Sequence, residues 1–198
     1  MRVLIAHASR YGSTQGIAER IAVTLRQHGL ETTVKPVQDA GDPAEFDAVI
    51  IGSATYYFRW MRKASRFVRR NRGTLAERPV WLFSSGPLGT KTTDDQGRDL
   101  RMVTEPREIA EFREAIHPRD HRVFFGALLP HKLGFLHRLM LKLPANKDQA
   151  VLPQGDFRDW NDIDAWAGEI AEALQTTAEG ATPVGTHGRD AALEAMRM

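Results

Sequence analysis

Runs of contiguous apolar residues alternate along the chain with stretches whose apolar positions recur every three to four residues. That alternation predicts strands buried on both faces, joined by amphipathic helices. Arg2 to Ala8 is the first run, with Val3, Leu4, Ile5 and Ala6 in succession. From Thr14 the positions Ile17, Ala18, Ile21, Ala22 and Leu25 take helical spacing, and Gly29 stands where a helix stops. Thr32 to Val37 reads as a shorter strand, and Pro36 assigns it to a sheet edge. Phe46 to Gly52, carrying Ala48, Val49, Ile50 and Ile51, is a second doubly buried strand that empties into the loop Ser53 to Phe58. A helix through about Arg72 follows, then a strand over Val80 to Phe83 introduced by Pro79. A helix near Pro106 to Ile116 precedes a last strand over Arg122 to Leu129. Ile163, Trp166, Ala167, Ile170 and Leu174 share one face of a closing helix over Asp162 to Leu174.

Alternating strands and helices require right-handed crossovers, so the expected fold class is α/β, a doubly wound three-layer sandwich around a five-stranded parallel sheet. Pro130 to Phe157 exceeds the usual connection length and stands as an insertion before the last helix. Within it Leu133, Phe135, Leu136, Leu139, Met140 and Leu143 recur near helical spacing among Lys132, His137, Arg138 and Lys142. His131 to Leu143 therefore reads as a basic amphipathic helix, able to cover core, meet a partner or make peripheral contact with an anionic membrane. Residues 1–176 form one expected domain, and 177–198 a flexible tail with room for a short helix over Ala191 to Met196.

Composition narrows the chemistry. An apolar fraction of 42% and a charged fraction of 26% are those of an ordinary globular chain. No apolar run approaches the roughly 18 residues of a spanning helix, and the chain enters a strand pattern at once, so cytoplasmic residence is expected. With no cysteine, thiol nucleophiles, thiolate metal sites and iron–sulfur clusters are excluded, and any electron transfer needs a bound cofactor. His7, His28, His117, His121, His131 and His137 show no metal-ligand spacing, so neither a metal site nor a catalytic histidine is assigned. The formal charge is only +2, yet Arg59, Arg62, Lys63, Arg66, Arg69, Arg70 and Arg72 form a run without an acid. That run is a local basic patch, for which a solvated helix face with Trp60, Phe67 and Val68 toward the sheet is the bland explanation. Nucleic-acid binding is not expected without aromatic platforms or a known module.

Ligands of doubly wound sheets sit outside the carboxyl ends of the strands, and three loops lie there. The first, Ser9-Arg10-Tyr11-Gly12-Ser13-Thr14, combines hydroxyls, one glycine and free amides at a helix N-terminus, which makes a phosphate cradle. It lacks both the Gly-Lys-Ser/Thr ending of triphosphate sites and the three-glycine dinucleotide fingerprint, so a phosphomonoester fits. The bland alternative is a capped turn that serves only the helix. The second loop holds Ala54, Thr55, Tyr56 and Tyr57, and the third Ser85, Gly86, Pro87, Leu88 and Gly89. A flat ring with polar edges needs an aromatic face and close backbone donors, which these loops supply. Either tyrosine alone could equally be a strand-end core residue.

Ser9, Gly12, Thr14, Ala18 and Ile21 fall where the first loop of the flavodoxin family has its hydroxyl, small, threonine, alanine and aliphatic residues, and the chain resembles that family. His7 departs from its usual aromatic residue. The resemblance implies FMN, strand order 2-1-3-4-5, and a ring held by the second and third loops. Gly52 to Tyr57, Phe125 to Leu128, the basic insertion and Asp159-Trp160 are similar to the bacterial menaquinone-dependent protoporphyrinogen dehydrogenase branch, over nearly residues 1–175. That likeness implies an FMN-dependent oxidoreductase with a small donor such as a porphyrinogen, a quinone or redox partner protein as acceptor, and a place in porphyrin biosynthesis. A flavodoxin-type electron carrier or a redox-sensing module shares the FMN site and stays open. A phospho-receiver is set aside, because His7, Ser53 and Ser84 stand where its acid cluster would lie.

Overall fold

The computed structural model describes residues 1–86, 88–129 and 153–180. Five parallel strands form the sheet: β1 (Arg2–Ala8), β2 (Glu31–Pro36), β3 (Ala48–Tyr56), β5 (Val80–Ser85) and β6 (Asp120–Phe124). They lie in the order β2-β1-β3-β5-β6. Between β3 and β5 the chain makes a short β4 (Arg59–Trp60), antiparallel to β3, so the five parallel strands alone follow the expected 2-1-3-4-5 order. Pro36 closes β2 on the sheet edge, as its missing N–H requires.

Alternate residues of the strands feed two apolar layers, which is why their sequences read as continuous hydrophobic runs. On one face Val3, Ile5, Ile50, Phe83 and Phe124 meet α1 (Ser13–Gln27) and α6 (Trp160–Gly180). On the other, Leu4, Ile51 and Leu82 meet α2 (Arg62–Arg70), α3 (Arg72–Ala76) and α5 (Glu108–Ile116). A four-residue α4 (Leu100–Val103) precedes α5. The first layer is closed by Phe83, Phe124 and Trp166, whose ring centroids lie 5.5 to 6.2 Å apart. Gly52 makes this packing possible, because a Cβ there would stand 2.0 Å from the Phe83 ring.

Several boundaries differ from the sequence reading. β3 does not end at Gly52; it continues to Tyr56 because β4 pairs with it, Thr55 opposite Trp60 and Tyr56 opposite Arg59. The expected loop is thus a tight hairpin with only Tyr57 and Phe58 at its tip. The helix expected through Arg72 breaks at Asn71 into α2 and α3. The last strand stops at Phe124, and Ala127–Leu128 leave the sheet to form β7, paired with β8 (Gly155–Asp156). The closing helix starts at Trp160 and runs to Gly180. The amphipathic stretch His131 to Leu143, Pro87 and the stretch Ala191 to Met196 lie outside the described residues.

Candidate functional site

β1 ends under the first loop, and Gly12, with φ 85°, turns the chain into α1 at a backbone geometry that glycine adopts without penalty. The Gly12 N–H donates to Ser9 Oγ at 3.0 Å, which folds the loop back on itself. The amides of Ser13, Thr14 and Gln15 have no acceptor inside the helix. No side chain caps this turn and no acid stands in it, so the positive end of α1 is unanswered. Thr14 Oγ1 is fully buried without a hydrogen-bond partner among the described residues, and so is Thr55 Oγ1 at the end of β3. Orphaned buried hydroxyls are expensive, and one in an uncapped helix turn with another at the end of β3 fits a polar ligand with acceptor oxygens.

Ser13 serves a different purpose from the one its place in the cradle suggests. Its Oγ accepts the Ala127 N–H at 2.8 Å and lies 3.3 Å from Ser85 Oγ. That pair braces the first loop against the third and against β7. Ala54 pairs with Ser85 in the sheet register, which brings the ends of β3 and β5 together. Gly86 donates its N–H to Phe124 O at 3.2 Å, and Leu88 and Gly89 follow. Arg10 lies over the Tyr11 ring at 5.4 Å. Burial and then Tyr11 push the Tyr56 phenol above the usual tyrosine range against the pull of Arg10, so Tyr56 is a neutral hydroxyl at the edge of this loop. Tyr57 projects into solvent, 94% exposed, and Phe58 is half exposed.

Tyr57 and Phe58 have φ of 50° and 59°. Two successive positive-φ residues make the mirror-image turn that suits a twisted hairpin, but it is normally built from Asn and Gly. An aromatic residue there stores roughly 1–2 kcal/mol. Three contacts hold the turn: Arg107 N–H to Phe58 O at 3.1 Å, Trp60 N–H to Glu108 Oε2 at 3.3 Å, and Met61 N–H to Ser53 Oγ at 3.0 Å.

Sequence reasoning missed a buried polar chain behind this hairpin. Trp60 Nε1 donates to Ser84 Oγ at 2.8 Å, Ser84 Oγ lies 2.8 Å from His121 Nε2, and His121 Nδ1 lies 3.0 Å from Glu105 Oε1. Serine, histidine and carboxylate stand in the order of a hydrolytic triad. Ser84 is fully buried, however, and the His121 side chain is 1% exposed, so no carbonyl substrate reaches them. Residues from three strands and from the connection before α5 meet there, and no local pattern announces it.

A cavity of about 710 Å³ opens beside Gly89, between Thr90, Thr92 and Arg101 and the aromatic side chains of Phe124, Phe157 and Trp160. Its cations are already paired, Arg101 with Asp99 and Arg158 with Asp156. No group of side chains able to hold a metal ion occurs among the described residues.

Residues 4–150 match the family model of the flavodoxin domain. The chain belongs to that family. Flavodoxin domains bind FMN, and FMN is the cofactor implied for this one; the uncapped α1 turn and the two orphaned hydroxyls fit its phosphate and polar edges. A protoporphyrinogen IX dehydrogenase [quinone] of Escherichia coli K12 is 24% identical over 182 residues, covering 86% of this chain and 95% of its own. An NAD(P)H dehydrogenase (quinone) of Brucella ovis is 21% identical over 143 residues, covering 61% of this flavodoxin-domain chain and 72% of its own. Among solved structures, a flavodoxin from the domain Archaea superposes with a TM-score of 0.55 at 16% identity, covering 88% of this chain and 99% of that one. No described helix is long and apolar enough to cross a membrane.

Proposed function

We propose that this protein is an FMN-dependent oxidoreductase that takes two electrons from a small donor of the porphyrinogen kind and delivers them to a quinone. The observation that carries the FMN site is the unanswered first turn of α1 with buried Thr14 Oγ1 beside it. Both relatives named above carry a quinone in their names, and the one that spans most of the chain is a protoporphyrinogen dehydrogenase, which supports acceptor and donor respectively.

In this reading the amides of Ser13, Thr14 and Gln15, with the Thr14 hydroxyl, grip the phosphate, and Ser9 keeps the loop folded around Gly12. Ser13, Ser85 and the Ala127 amide hold the walls at a fixed separation. Tyr56, Tyr57 and Phe58 offer faces to the ring, while Thr55, Gly86, Leu88 and Gly89 line its polar edge and exclude water. When bound, FMN supplies the redox chemistry, two electrons and two protons leaving the donor and reducing the quinone to a quinol. The protein's part is orientation and electrostatics.

The purified protein is expected to be yellow and to release FMN on denaturation, identified by mass. Steady-state oxidation of a porphyrinogen with a quinone as acceptor tests the activity. A holoprotein that exchanges electrons but turns over no donor with any quinone is a carrier, and the enzymatic reading then fails.

A further inference from the structure

Ser84 and His121 lie at the ends of β5 and β6, on the face that packs against α5, and neither reaches solvent. What they hold does. With His121 neutral, as its burial favours, one order of donors and acceptors satisfies the whole chain. The Trp60 indole can only donate, so Ser84 Oγ accepts from it and spends its own proton on His121 Nε2. Nε2 is then an acceptor, His121 is neutral, and its Nδ1–H donates to the Glu105 carboxylate, which Arg113 anchors from α5 at 2.6 Å. At the other end Trp60 packs against Phe112 in a tilted ring pair, centroids 5.4 Å apart, and is the residue of β4 that pairs with Thr55 across the hairpin. A strained turn persists only where its surroundings over-determine it, and the Tyr57–Phe58 turn is over-determined through Trp60.

We propose that His121 is a positioning residue for the flavin site: as a neutral acceptor it locks Ser84, Ser84 locks the Trp60 indole, and Trp60 holds the strained Tyr57–Phe58 turn in the pose that receives the ring. The inference rests on the FMN reading given above. Protonation of His121 reverses its contact with Ser84: Nε2 becomes a donor to the second lone pair of the hydroxyl, and the serine proton loses the Nε2 acceptor that oriented it. The charged groups around the ring are Glu105 and Arg113 on the α5 side and Asp120 beside it on β6. Burial outweighs the pull of Glu105 and keeps the imidazole below its ordinary pKa.

The test uses the full chain without and with FMN. In the apoprotein, indole and imidazole NMR signals are followed from pH 8 to pH 5, with Trp60→Phe assigning the Trp60 N–H. The expected result is a Trp60 indole signal that titrates together with His121, and an imidazole held in the Nδ1–H form at neutral pH. In His121→Gln the indole signal ceases to titrate. FMN dissociation constants, read by quenching of flavin fluorescence, are expected to rise about tenfold in Trp60→Phe and Ser84→Ala, one hydrogen bond's worth. Wild-type affinity should fall in the same pH range as the indole signal moves, and affinity in His121→Gln should not. If Ser84→Ala does not fold, Trp60→Phe, which keeps a ring against Phe112, carries the comparison. An indole signal indifferent to His121, or folded variants with wild-type FMN affinity and pH profile, overturns the proposal. Wild-type protein that binds no FMN while indole and imidazole titrate together defeats the cofactor reading and leaves the tether established in the apoprotein.

Discussion

Ser13 and Ser85, 72 residues apart in the chain, bring their hydroxyls within 3.3 Å and tie the head of α1 to the end of β5. Ser13 also accepts the Ala127 N–H, so its oxygen is spent on the walls of the site, whereas Thr14, one residue on, keeps a buried hydroxyl with no partner among the described residues. Adjacent hydroxyls in the first turn of α1 therefore divide the work, Ser13 bracing neighbouring elements and Thr14 left for the phosphate in the proposed FMN site.

That division predicts opposite phenotypes. Thr14→Val replaces an unpaired hydroxyl by a methyl of the same shape, so the apoprotein should gain about 1 kcal/mol. FMN should bind at least about tenfold more weakly, since a hydrogen bond to a charged oxygen is lost. Ser13→Ala strands the Ala127 amide and should cost the apoprotein about 1 kcal/mol. Thermal melts of apoprotein paired with FMN titrations check both, and a Thr14→Val that loses stability without losing affinity would refute the assignment.

The hairpin tip sets stability against binding. In Tyr57→Asn/Phe58→Gly the turn takes residues made for positive φ and sheds strain worth roughly 1–2 kcal/mol per residue. Some of this is offset by the lost contacts of half-buried Phe58. A net gain of about 1 kcal/mol raises the melting temperature by about 2–4 °C. FMN affinity should fall because two of the three proposed aromatic faces are gone, by roughly 0.5–1.5 kcal/mol for each stacked pair. Melting curves with and without FMN separate the two effects; equal shifts in both states would mean that the tip does not touch the ring.

The parallel sheet was legible because its signal is local and strong: Val3 to Ala6, Ala48 to Ile51 and Val80 to Phe83 cannot face water on either side. The turn from β1 into α1 was legible for a similar reason, since Ser9 to Gly12 is one short loop between a strand and a helix. The hairpin was not, because Tyr57-Phe58 carries none of the Asn-Gly chemistry of a two-residue turn, and tertiary tethers impose the conformation. The break after Phe124 was hidden because Phe125, Ala127 and Leu128 continue a strand-like apolar run, while Ala127 and Leu128 pair with Asp156 and Gly155 far along the chain. His121 looked like a lone histidine because its partners Ser84, Trp60 and Glu105 lie 37, 61 and 16 residues away.

Acid should destabilise the protein in two stages. His121 and His7 both sit below the ordinary histidine value of 6.5, each chiefly through burial. A group with a depressed histidine pKa is neutral in both states above 6.5. Below that value the unfolded chain takes up the proton first, so stability falls by at most about 1.4 kcal/mol per pH unit per group until the folded pKa is reached. Glu105 is also depressed: burial would raise it, but hydrogen bonds from Arg113 and His121 prevail. Its contribution is present above 4.5 and is lost only as pH falls further, a separate and lower window. Urea midpoints between pH 8 and pH 5 should slope downward in wild type and about half as steeply in His121→Gln, where His7 is the lowered histidine left among the described residues. An unchanged slope would place the titration elsewhere.

The last prediction concerns the potential of the bound flavin. Arg10 lies over Tyr11, and its charge acts on the Tyr56 phenol, so it is a cation within the loop cluster proposed to receive the ring. A positive charge there favours the reduced flavin, which gains negative charge, and raises the two-electron potential. Arg10 is exposed and screened, so its effect belongs to the surface class of about 0.2–1 kcal/mol. For a two-electron couple that corresponds to about 5–20 mV, by the relation in which about 1.4 kcal/mol equals about 30 mV. Arg10→Gln should therefore lower the midpoint by about 5–20 mV, and the difference should shrink in high salt because solvent-exposed charges are screened. Equilibration against a reference dye at two ionic strengths measures it. A midpoint that rises, or a shift that salt leaves untouched, would mean that Arg10 acts through the shape of the loop and not through its charge.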